Sequence, residues 1–243
     1  MSNKTIEDKK SGSIRSFILI SIILLIVFSL GFLPVVLFSR IVLFFIAFDK
    51  LWHLFLIPVF LYLGVAITVI YLLLISGFFV HVFNLKYEPG VYDYNFKNRM
   101  AMKWIIVCIL YTTGRKINEI FPTGFMKYMY YRLIGMKIGK NTLVGGTIMD
   151  PCLTEIGDNC TMGLFAVLYG HIHDYEKGTI TLDRIKIGNN VVIGAGAFIM
   201  PGVIIEDNVK IATGSVVTKG QILKKGKTYG GIPAKEIKRE RKK

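Results

Sequence analysis

Acidic residues are scarce: 16 Asp and Glu stand against 30 Lys and Arg in 243 residues, a formal net charge of +14. So basic a balance suits an anionic partner, whether nucleic acid, anionic lipid or a phosphorylated ligand. No RNA- or DNA-binding motif is present, which leaves nucleic acid without support. Cysteine is also scarce. Cys108, Cys152 and Cys160 form no CxxC pair, and their odd number excludes a closed disulfide framework; they read as buried free thiols. Most telling is where charge is missing altogether. From Ser16 to Ser39, and again over residues 51–85, there is no Asp, Glu, Lys or Arg.

Each of those stretches exceeds the roughly 20 apolar residues needed to cross a bilayer. A cleaved leader would have a shorter apolar core ending at small residues, whereas the first stretch continues through Leu33, Pro34, Val35 and Leu37. Two transmembrane helices are therefore expected within 16–85. Pro58 and Gly64 are tolerable kink points in the second, and residues 41–48 form an outer turn or interfacial piece. Lys4, Lys9, Lys10 and Arg15 precede the pair, and Lys86, Lys97, Arg99 and Lys103 follow it; only Arg40 and Lys50 lie between. The positive-inside rule puts both termini in the cytoplasm. Residues 86–137 mix aromatics and cations and are expected to be an amphipathic helical linker at the headgroup level or a collar on the soluble part.

The last third carries a six-residue period. Hexads are expected to begin at Ile138, Val144, Asp150, Ile156, Met162 and Leu168, apolar at all but Asp150. After an interruption they resume at Ile187, Ile193, Ile199, Ile205, Ile211 and Val217. Glycine often follows, as at Gly139, Gly145, Gly157, Gly163, Gly188 and Gly194, and small or β-branched residues take most fifth positions. That period fits neither an α-helix nor a hairpin meander; it fits three short strands per coil of a parallel β-helix. Twelve hexads make four coils spaced by about 4.8 Å.

The stretches IGDNCTMG, IKIGNNVVIGAGAFIMPGVIIEDN, IATGSVVTKG and YGGIPAKEIK resemble the hexapeptide-repeat acyltransferases, and the likeness covers residues 131–239. The closing GIPAKEIK resembles the acetyltransferase branch. The resemblance implies a left-handed β-helix, a homotrimer with its site between neighbouring subunits, and acetyl-CoA or another acyl-CoA as co-substrate. A zinc-dependent relative of the fold would need three histidine ligands where this segment has two, and no metal is expected. A nucleotidyltransferase would need a Gly-rich N-terminal domain where this chain has apolar helices.

The hexad register slips between Leu168 and Ile187, so residues 169–186 loop out of the coil and carry His171, His173, Asp174 and Glu176. Loops on rigid scaffolds commonly hold function. In the resembling enzymes a histidine of this loop is the general base, a role imidazole suits. His171 is favoured over His173, with Asp174 or Glu176 to orient the ring. The resemblance also runs the pantetheine arm along Ala195, Thr213, Gly214 and Thr218, with Lys235 and Lys238 toward the nucleotide end. Where some relatives have a hydroxyl, Ala195 offers only a backbone N–H.

The expected organisation is a basic cytoplasmic N-terminus (1–15), a two-helix membrane anchor (16–85) and a helical linker (86–137). A mainly-β β-helix (138–222, catalytic loop 169–186) and a cofactor-side segment with a basic tail (223–243) follow. The expected function is acyl transfer from acyl-CoA to a hydroxyl or amine at the cytoplasmic face of the cell membrane. Membrane lipid is the expected partner, and a lipid-linked glycan or polysaccharide precursor is a plausible acceptor. The alternative is a non-catalytic trimeric β-helix membrane scaffold.

Overall fold

The computed structural model describes residues 3–120 and 125–238; the side chains of residues 1–13 and the tail 239–243, to which part of the basic charge was assigned, lie outside the described set. The chain divides into two compact units. The first comprises Met1–Leu85 and Ile105–Leu133, the second Lys86–Trp104 and Ile134–Lys243.

The first unit is helical. α1 (Asn3–Phe45) and α2 (Ile57–Val82) are joined by a short irregular connector, with Phe48 at positive φ, and a 3-10 turn over Leu51–Leu56. Close approach rests on glycine: a Cβ on Gly31 would overlap the Leu72 side chain, and one on Gly64 would press on Val35. Pro58 lies in the first turn of α2, where its missing N–H costs nothing, so it starts the helix rather than kinking it. Residues 41–45, expected outside the first span, continue α1 instead. The stretches Ile14–Phe45 and Leu51–Val82, with mean hydropathies of 2.9 and 2.5, are long and apolar enough to cross a membrane. Most of α3 (Arg99–Ile120), from Ile105 onward, and α4 (Phe125–Ile134) up to Leu133 belong to this unit, with Tyr130 hydrogen-bonded to Ser76 at 3.2 Å.

The second unit is a parallel β-helix. One face stacks Ile138, Ile156, Ile187, Ile205 and Leu223. The next stacks Val144, Met162, Ile193, Ile211 and Tyr229. The third stacks Ile148, Leu168, Ile199 and Val217. Leu223 and Tyr229 begin a fifth coil beyond the four expected. These side chains point inward and are buried, apart from partly exposed Ile138, and Cys160, Ala166, Val191, Ala197, Val203 and Val209 fill the corners between them.

Four corners of one edge are turned by Asn141, Asn159, Asn190 and Asn208, all at positive φ, a conformation asparagine tolerates better than other side chains. A second edge uses Gly196 and Gly214 at φ +65 and +67, but Phe165 holds the same position one coil earlier at φ +61. A bulky residue there is strained. Phe165→Gly is expected to stabilise the β-helix by about 1 kcal/mol, read as a rise in thermal midpoint in detergent. A fall instead would mean that this ring, 81% exposed, is covered in the assembled protein.

The hexad register needs one correction. Asp150 does not occupy an inward strand position. Ile148 does, four residues after Val144, because Gly145 and Gly146 make a shortened corner in which any Cβ on Gly146 would overlap the Ala166 carbonyl. The following corner is lengthened by the same amount, holds a 3-10 turn over Pro151–Leu153, and carries Asp150 at its start.

Two more expectations change. The segment 169–186 is a β-hairpin of His171–Asp174 with Thr179–Leu182, rather than an irregular loop. The linker 86–137 is not helical throughout: Gly90–Asp93 forms a strand antiparallel to Thr179–Leu182, making a three-stranded sheet beside the coils. Four residues are too few to show a period, and the strand's partner lies far along the chain.

Candidate active site

The hairpin leaves the β-helix directly after the buried rung Val167–Leu168, so its first residues are held by a rigid base. Side chains alternate along an extended strand, and Tyr169, His171, His173 and Tyr175 share one face. Consecutive ring centroids along this row are 6.0, 5.6 and 5.7 Å apart. Trp104 and Tyr94, from the segment preceding the β-helix, close against it. Trp104 lies 4.8 Å from His171 and 5.2 Å from His173, and Tyr94 lies 4.6 Å from His173.

At the inner end of the row, His171 Nδ1 lies 2.6 Å from Asp150 Oδ2. The Asp150 side chain is 1% exposed and that of His171 13%. Burying a carboxylate requires donors, and Asp150 has them. Tyr87 OH donates to Oδ1 at 2.9 Å, Trp104 Nε1–H to Oδ1 at 3.0 Å, and the Gly170 amide to Oδ2 at 2.8 Å. Burial foremost, and the carboxylate beside it, raise the Tyr87 phenol well above its usual range, so it stays a donor. Cys152 packs alongside, its thiol pushed up to about 12 mainly by burial.

A carboxylate can only accept. His171 must therefore donate through Nδ1, which leaves the lone pair of the neutral ring on Nε2. The arrangement is a buried acid that fixes one imidazole tautomer and supports the imidazolium once a proton arrives.

His173 differs. Burial foremost, then His171 beside it, hold its pKa below the ordinary imidazole value, against a smaller opposing effect of Asp150. The sign follows from linkage. The unfolded chain takes up this proton more readily, so stability is lost as pH falls through the ordinary imidazole range near 6.5. Between pH 8 and pH 5 the wild-type thermal midpoint should fall further than that of His173→Phe; equal falls would contradict it.

The expected site residues divide. His171 and His173 come together. Asp174 and Glu176 do not join them: Asp174 is on the opposite strand face and binds the Lys177 amide at 3.0 Å and its ammonium at 3.4 Å, and Glu176 lies in the hairpin turn. Ala195, Thr213 and Gly214 stack in one corner column, where the Gly214 amide donates to the Ala195 carbonyl at 2.9 Å. Thr218 begins the corner after the rung Val216–Val217. The closing strand Lys235–Glu236 folds back on Thr228–Gly230, leaving Lys235 and Lys238 exposed. Asp150, Tyr87 and Trp104 escaped the sequence reading. Asp150 had a signal, as the one acidic residue among apolar hexad starts; Tyr87 and Trp104 had none.

Residues 184–219 match the family profile described as bacterial transferase hexapeptide (six repeats). Over 133 residues, 54% of this chain, the sequence is 30% identical to a delta-poly-L-ornithine synthetase of Acinetobacter baumannii, covering 10% of that protein. Over 87 residues, 33% of this chain, it is 33% identical to a Bacillus subtilis protein, YvoF, whose name assigns it provisionally to the acetyltransferases; 48% of that protein is covered. The chain thus spans less than half the length of either curated relative. Among solved structures it aligns with a maltose O-acetyltransferase from Clostridium difficile 630, at TM-score 0.41 and 26% identity over 51% of this chain and 82% of that one. The hexapeptide profile falls within the coils described above, and over that stretch the β-helical unit is similar to the bacterial hexapeptide transferases.

Proposed function

We propose that the protein moves an acyl group, acetyl by its family branch, from acyl-CoA to a hydroxyl or amine, with His171 as general base. One observation carries this reading: the 2.6 Å contact between His171 Nδ1 and a buried Asp150 that three further donors saturate. His171 Nε2 takes the proton of the acceptor group as its oxygen or nitrogen attacks the thioester carbonyl carbon. The carbon–sulfur bond breaks, and the imidazolium returns the proton to the departing thiolate. Asp150 holds the ring and balances its transient charge. No acyl-enzyme is needed, because acceptor and thioester meet directly.

For the thioester arm we assign the corner column of Ala195, Thr213 and Gly214 with Thr218. Lys235 and Lys238 supply exposed cations for the nucleotide phosphates. α1 and α2 anchor the protein in the cell membrane, with both termini and the β-helix on the cytoplasmic side where acyl-CoA is found. The basic residues flanking the apolar stretches support that orientation. A homotrimer, typical of the resembling enzymes, would group three such anchors and hold three sites at the membrane where acceptors are concentrated.

The test is acetyl-CoA titration of the purified full chain in detergent, followed by thiol release with and without added acceptors. Saturable binding and thiol release support acyl transfer. A protein that neither binds nor consumes acetyl-CoA would be a β-helix scaffold on a membrane anchor.

A further inference from the structure

The two histidines of the hairpin present opposite faces of the same chemistry. His171 is fixed as an Nδ1–H donor to Asp150, so its Nε2 accepts. In His173 it is Nδ1 that is buried, and it has no hydrogen-bond partner among the described residues. A neutral imidazole carries its proton on one nitrogen or the other. Placed on Nδ1, the proton would be a buried donor with nothing to bind; placed on Nε2, it lies on the less buried side of the ring, where a ligand or solvent can take it. His173 therefore carries Nε2–H. An acceptor nitrogen and a donor nitrogen stand side by side on one strand face, with ring centroids 5.6 Å apart.

We propose that His173 reads the acceptor substrate: its Nε2–H binds the oxygen adjacent to the hydroxyl that His171 deprotonates, so the acceptor class is a vicinal diol on a ring. This rests on the acyl-transfer reading above. A hydroxyl being deprotonated must donate toward His171. Its neighbour on the next carbon then has a free lone pair, which His173 satisfies. The walls fit the rest of such a molecule. Tyr94 lies edge-on to His173, Tyr175 stacks on it, and Tyr169 lies beyond His171. They supply flat apolar surface for the C–H faces of a carbohydrate ring. A diamine or a simple alcohol would use only half of this arrangement, because an ammonium neighbour cannot accept from Nε2–H and a simple alcohol offers no neighbour.

The test has two readouts on the full chain in detergent. Long-range proton–nitrogen correlation at pH 8 reports imidazole tautomers, and only four histidines need assignment, by single substitution. His171 should be Nδ1–H and His173 Nε2–H. Acetyl-CoA turnover is then compared with trans-1,2-cyclohexanediol and cyclohexanol as probes. Wild type should prefer the diol about tenfold in kcat/KM, the value of one hydrogen bond. His173→Phe should reduce that to the statistical factor by raising KM for the diol with kcat little changed. His173→Gln, whose amide N–H can stand where Nε2–H does, should restore the preference. An Nδ1–H tautomer at His173 overturns the proposal, as does a diol preference that survives His173→Phe. The stated tautomers without a diol preference in wild type overturn it alone, leaving acyl transfer standing. Absence of acetyl-CoA turnover in wild type overturns both.

Discussion

Replacing His171 with Ala should lower acyl transfer by about 10²–10⁴-fold while acetyl-CoA still binds, because a positioned general base is worth that much. The assigned cofactor column lies on other coils, so KM for acetyl-CoA should move only a few-fold. Removing the ring leaves Asp150 with its bonds to Tyr87, Trp104 and Gly170, so the fold should survive. Steady-state kinetics with a binding isotherm on the same preparation separates the two effects. A variant that turns over at wild-type rate would end the assignment of His171 and move it to His173. A variant that neither binds nor turns over would point to collapse of the hairpin.

The second large effect is expected at a residue that touches no substrate. Asp150→Asn keeps size and shape but cannot accept on both sides. If the amide nitrogen faces His171, it donates to Nδ1 and forces the ring proton onto Nε2, which abolishes the base; the Gly170 N–H then also faces a donor. If the amide is turned over, its nitrogen faces Trp104 Nε1–H, which can only donate. Either way a buried donor is left unpaired, at a cost of about 1–3 kcal/mol. We expect kcat to fall about 10²–10⁴-fold, approaching loss of the base itself, with a lowered thermal midpoint and unaltered acetyl-CoA affinity. The two effects are separable. Trp104→Phe removes one of the two Oδ1 donors and leaves the Oδ2 contact with His171 in place, so it should lower stability more than kcat. Were Asp150→Asn to remain fully active, His171 would be shown to need no orienting acid.

Period and composition were enough for the coils and the apolar helices. Six-residue spacing survives in sequence because every inward position must be apolar and every corner must turn within the same few residues. What escaped did so for identifiable reasons. The shortened corner at Gly145–Gly146 and the lengthened one after Ile148 cancel over two hexads. Counting by sixes therefore lands on Ile156 again and conceals that Asp150 has left the strand. The acid at that hexad start was itself the clue, since an inward carboxylate without donors is prohibitively costly. Asp174 and Glu176 were attractive because they are near His171 in sequence, but strand alternation turns Asp174 away from it. The alternating Tyr169, His171, His173 and Tyr175 was legible as a strand and passed for a loop. Nothing local marks Tyr87, Trp104 or the strand Gly90–Asp93, because what each contacts is distant in sequence.

The second unit is discontinuous, and that bears on how the protein can be cut and how it is made. The chain supplies residues 86–104 to it, departs for 105–133, and returns at Ile134. A soluble fragment begun at Ile134, the natural choice for anyone wishing to discard the apolar helices, would keep every rung of the β-helix. It would also leave Asp150 without Tyr87 and Trp104, and the hairpin without its outer strand. Such a fragment could look well folded by every spectroscopic measure and still be inert. During synthesis the order is reversed: Tyr87 and Trp104 leave the ribosome before the carboxylate they will bind, and the site can close only after His171 has emerged.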